Sequence, residues 1–68
     1  MEPDTTTTAA ELGALVETLR RTRDRVAGLA EPYLGTNRDD IVAAIYEAER
    51  HLRGAERALD RAIKLTGG

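Results

Sequence analysis

The sequence predicts an all-α protein: an antiparallel two-helix hairpin that pairs with a second copy as a homodimeric four-helix bundle. Three observations lead there. Alanine, leucine, arginine and glutamate dominate the chain, and these are among the strongest helix formers. Apolar residues recur in alternating steps of three and four along nearly the whole length, the signature of an amphipathic helix with a heptad seam. A single break, "EPYLGTN" at residues 31–37, divides that pattern into two segments of similar length.

Residues 1–8 are expected to form a flexible N-terminal arm, since "MEPDTTT" carries no apolar period. Thr8 and Glu11 form a potential capping box, in which hydroxyl and carboxylate each satisfy a backbone N–H. Helix 1 is therefore placed at about 9–31. Its seam runs Leu12, Leu15, Leu19, Thr22, Val26, Leu29 and Tyr33, with Val16 and Ala30 widening one flank. Pro32 disfavours helical geometry at Glu31 and donates no backbone hydrogen bond, so the turn is placed at about 32–37, with room for a 3₁₀ turn at 32–34. Gly35 supplies the left-handed residue that closes a helix.

Helix 2 is placed at about 38–66. Thr36 or Asn37 is the expected cap, and Asp39 and Asp40 put negative charge where the helix dipole favours it. The seam continues through Ile41, Ile45, Ala48, Leu52, Ala55, Leu59 and Ala62, with Val42, Tyr46, Ala58 and Ile63 beside it. Arg61 and Lys64 suit the C-terminal end of the dipole, and Gly67 and Gly68 are expected to stop the helix. The hairpin, residues 9–66, should bring Leu12 near Ile63, Leu19 near Ala55 and Tyr33 near Ile41.

Two helices cannot cover a stripe this wide. A chain of 68 residues is marginal as a lone monomer, and with no cysteine and one histidine it lacks the usual staples. Association remains, either with itself or with another protein. The expected function is a small non-enzymatic interaction module: an adaptor, regulator or assembly subunit. The residues expected at that interface are Leu12, Leu15, Leu19, Val26 and Leu29 from helix 1, with Ile41, Ile45, Leu52, Leu59 and Ile63 from helix 2. No apolar run reaches the roughly 20 residues of a membrane span, and the acidic, polar start lacks the features of a signal peptide, so a cytoplasmic protein is expected. The excess of arginine over lysine and the abundant alanine fit the bias of a GC-rich bacterial genome.

Residues 20–25, "RRTRDR", raise a second reading. Arg20, Arg21, Arg50, Arg53, Arg57 and Arg61 lie off the seam and could contact nucleic acid or another polyanion. Against it, the net charge is −2, and the acids Glu11, Glu17, Asp24 and Glu31 balance the arginines of helix 1. Glu17–Arg21 and Arg20–Asp24 are the expected helical pairs, with Arg23 on the flank and its charge in solvent. Base-stacking sheets need surface aromatics, and only Tyr33 and Tyr46 are present.

Catalysis, metals and cofactors are not expected. Glu47 and His51 are four apart, whereas di-iron bundles repeat Glu-x-x-His and add further glutamates. The chain has no serine, and its threonines cluster near the start, so no nucleophile, base and orienting group converge. Gly13, Gly28 and Gly54 form no phosphate loop, and mark either close helix approaches or neutral drift. The terminal "TGG" reads as helix termination.

Helix, then "YLG" at residues 33–35, then helix is similar to the small hairpins exported by type VII secretion, whose turn holds Trp-x-Gly. This chain is shorter, has tyrosine in place of tryptophan and lacks the Tyr-x-x-x-Asp signal expected after helix 2. The resemblance implies an exported hairpin as a minor alternative.

Overall fold

The computed structural model describes residues 3–67 as two helices packed antiparallel. Helix α1 spans Thr5–Gly28, a 3₁₀ turn spans Glu31–Tyr33, and helix α2 spans Asp39–Thr66. There are no strands among the described residues.

Helix α1 starts at Thr5, one turn before the expected Ala9. Asp4, not Thr8, is the cap: its Oδ1 accepts from the Thr6 and Thr7 amides (3.0 and 3.3 Å), and Oδ2 accepts from the Thr7 hydroxyl at 2.9 Å. The threonine run lacks an apolar period, but a cap needs only a short acceptor ahead of free N–H groups. Of the expected arm, Met1 and Glu2 lie outside the described residues, and Thr5–Thr8 is helical. The Thr7 hydroxyl, with the Thr7 and Thr6 amides, holds the Asp4 carboxyl below its ordinary value near 3.8. A lowered native pKa makes the cap's contribution complete above the ordinary value and lost as pH falls through the lowered one. Acidification below about pH 4 should therefore fray the first turn of α1. The check is amide exchange at Thr6 and Thr7, and an Asp4→Ala variant should show that fraying at neutral pH as well.

The end of α1 also falls earlier than the expected residue 31. Gly28 is its last residue, and Leu29 and Ala30 lead into the 3₁₀ turn that contains Pro32. Gly35 takes φ 76°, the left-handed conformation expected of it. Thr36 works inside the turn: its hydroxyl donates to the Tyr33 carbonyl at 2.6 Å and accepts from the Arg38 amide at 3.1 Å. Arg38 holds the cap position of α2 without a side-chain cap, and its guanidinium grips Asp40 through two bonds of 3.1 Å. That pairing holds the Asp40 carboxyl below its usual range. Gly67 closes α2 at φ 143°, with its N–H on the Ile63 carbonyl. Gly68 lies outside the described residues.

The hairpin is long and thin, 57 × 17 × 14 Å, with a radius of gyration of 16.0 Å. A compact chain of this length would have about 11 Å. Its core is correspondingly slight. Val16 and Ala30 are the buried apolar residues among those described, and no large side chain is fully enclosed.

Candidate functional site: two unlike sides of the hairpin

The expected seam and the observed helix contact differ by a rotation. In α1 the covered rows are Leu12, Leu19, Val26 and Ala9, Val16, Arg23, with Ala30 continuing the second row past Gly28. In α2 they are Ile45, Leu52, Leu59, Thr66 and Val42, Glu49, Glu56, Ile63. Each helix keeps one expected row. In α1 the other is replaced by the row one residue further on, so Val16 and Ala30, read from sequence as a widening flank, become the buried pair. In α2 the row one residue further on is added, while Ile41, Ala55 and Ala62 of the expected row stay half-buried.

That rotation divides the hairpin into a polar and an apolar side. On the polar side Arg23 crosses to Glu56, its Nη1 donating to both carboxylate oxygens at 2.9 and 3.1 Å. Glu56 is only 6% exposed. Arg20 lies 3.7 Å from Glu56 and 3.9 Å from Asp60, and donates to Glu17 at 2.8 Å. Arg53 donates to Glu49 at 2.6 Å, which further stabilises the charged guanidinium. The expected pairs Glu17–Arg21 and Arg20–Asp24 are replaced by Glu17–Arg20 and Arg23–Asp24. The reason is tertiary: Arg20 faces α2, where two more carboxylates stand, while Arg21 turns away to the Thr18 hydroxyl at 3.5 Å. Arg23 is thus no solvated flank residue. Its Nε is buried with no partner among the described residues. Glu56 was not singled out from sequence. The signal available was Glu49 and Glu56 in heptad register with Val42 and Ile63.

On the apolar side the outer rows are Leu15, Thr22, Leu29 from α1 and its extension, and Ile41, Ala48, Ala55, Ala62 from α2. Leu15 is 52% and Leu29 63% exposed. Leu12, Leu19, Val26, Ile45, Leu52 and Leu59 lie between these rows and are only half-buried. Tyr33 and Leu34 extend apolar surface around the loop end. The Thr22 hydroxyl donates to the Thr18 carbonyl at 2.8 Å, so even this polar member carries no free donor. Of the residues expected at an interface, nine line this side, and Ile63 sits in the row between the helices.

Of the six arginines considered for polyanion binding, Arg50, Arg53, Arg57 and Arg61 follow one another along α2 at helical spacings of three and four, while Arg20 and Arg21 lie on α1. Arg20 and Arg53 are engaged with carboxylates. Arg21 is exposed on α1, and Arg50, Arg57 and Arg61 share an exposed face of α2. Glu47 and His51 are exposed on α2. Among the described residues no pocket forms, no three His, Asp or Glu side chains gather as a metal site would require, and no helix is long and apolar enough to cross a membrane. Comparison of the chain with protein families, curated proteins and solved structures finds no match.

The helical glycines mark no close approach. A Cβ at Gly13 would meet nothing within 4 Å, and at Gly54 only the Arg57 guanidinium at 3.8 Å. Both lie off the apolar side. Gly13→Ala and Gly54→Ala should each stabilise by about 1 kcal/mol. Urea unfolding should show the gain with the mass in solution unchanged.

Proposed function

We propose that the protein is a small non-enzymatic interaction module, working as an adaptor, regulator or assembly subunit, and that the occupant of its apolar side is a second copy of the chain. One observation carries this reading: the hairpin leaves its own apolar stripe incompletely covered, with Leu15, Leu29 and Ala48 exposed and the rows between them only half-buried. Its accessible surface is 5167 Å². A compact monomer of this mass would expose roughly 1,000 Å² less. Two copies sharing that excess would cover about 2,000 Å², the upper end of a standard stable interface. A symmetric pair is also the commonest assembly. A bacterial cytoplasmic setting accompanies the proposal.

The test is light scattering on a sizing column with a circular dichroism spectrum of the same peak. The expected result is a helical species of about twice the 7.4 kDa chain mass. A stable, fully helical monomer at micromolar concentration would overturn self-association. A poorly helical monomer would hand the apolar side to a different protein.

A further inference from the structure

The apolar side has two halves of different size, and this difference orients the second copy. On α1 the outer row is large at Leu15 and Leu29, with Thr22 between them. On α2 the corresponding row is alanine at Ala48, Ala55 and Ala62. The ion pairs from Arg20 and Arg23 to Glu56 and Asp60 mark the register of the hairpin. That register puts Leu15 level with Ala62, Thr22 with Ala55 and Leu29 with Ala48.

Two copies meeting face to face about a two-fold axis have two choices. With the axis along the hairpin, levels are kept and α1 of each copy lies over α2 of the other, so every leucine meets an alanine. With the axis across the hairpin, α1 lies over α1 and α2 over α2. Leucine then crowds leucine on one edge, while alanine faces alanine on the other, and a single separation between rigid hairpins cannot suit both. Close-packed interiors alternate large and small residues across facing positions. Thr22, at the middle level, already has its hydroxyl satisfied and can be covered without an unpaired donor. The charged network around Arg23 and Glu56 remains on the opposite, outward side.

We infer that the dimer is of the first kind: α1 of each copy packs on α2 of the other, and both loops lie at the same end of the bundle. This rests on the proposed self-association, and the experiment separates the two. The chain has no cysteine, so Asn37→Cys labels each copy at one exposed loop position. A spin label there, read by pulsed dipolar spectroscopy, should report loops within about 25 Å, roughly two helix diameters. The alternative arrangement gives a separation approaching the 57 Å length of the hairpin. A monomeric mass overturns both self-association and the arrangement. A dimeric mass with the long distance overturns the arrangement alone. A size exchange supplies a second reading. Leu29→Ala and Ala48→Leu should each weaken the dimer about tenfold or more, and the two together should recover it to within a few-fold. Failure of the double variant to recover overturns the Leu29–Ala48 contact.

Discussion

Leu52→Asp is expected to abolish the folded protein. Leu52 lies in the middle of α2, in the row shared by the contact between the helices and the exposed apolar side. The variant removes a large apolar side chain and puts a carboxylate where none of the neighbouring rows on that side offers a cation. Lost burial costs about 2–5 kcal/mol at a fully buried leucine and a part of that at half-buried Leu52, and the carboxylate set against the apolar row adds to it. A domain this small has roughly 3–10 kcal/mol in total. Circular dichroism should show most of the helical signal gone at room temperature. Retention of full helicity and native mass would mean the row is misplaced. Leu29→Asp makes a useful contrast. Leu29 is largely exposed in the hairpin, so its charge should act on the proposed association: by light scattering the variant should stay monomeric at concentrations where the parent chain is expected to pair.

The second large effect concerns the ion pair inside the hairpin. Arg23→Ala leaves the Glu56 carboxylate buried with only the looser Arg20 contact at 3.7 Å. Breaking one member of a pair this well covered is expected to cost roughly 2–4 kcal/mol, a little below the cost for a fully buried pair because Arg23 retains some exposure. Replacing both, as Arg23→Leu with Glu56→Leu, should do the opposite and match or exceed the parent in stability. The physical reason is that the present pair is imperfect. The Arg23 Nε is buried without a partner, and two charges have been drawn from water for two short bonds. Urea unfolding at equal protomer concentration measures both variants. A double variant less stable than Arg23→Ala alone would show that the pair contributes more than its desolvation costs.

The apolar rows themselves were legible from residue spacing. Leu12, Leu19 and Val26 on one helix and Ile45, Leu52 and Leu59 on the other stand in the seam by periodicity, and the structure keeps them there. The cap was harder to see. Asp4 competes with Thr8 as a short acceptor before a helix, and apolar periodicity, which begins only at Leu12, cannot decide where the first turn forms. Arg23 and Glu56 were harder still, because a charged residue at a seam position reads as a flank until its partner, 33 residues away, is known.

Local chemistry therefore determined two helices, a break at Pro32 and Gly35, and an apolar stripe wider than one neighbour can cover. Propensity, capping and turn geometry act within a few residues, so sequence carries them openly. Which half of the stripe faces the other helix was decided by tertiary structure alone. A helix can rotate about its own axis by half the width of such a stripe and still bury leucine. The rotation brings together residues far apart in sequence, Arg23 with Glu56 and Arg20 with Glu56 and Asp60 across the hairpin. The same rotation draws Val16 and Ala30 inside and leaves Leu15, Leu29 and Ala48 outside, with Ala55 and Ala62 half-covered.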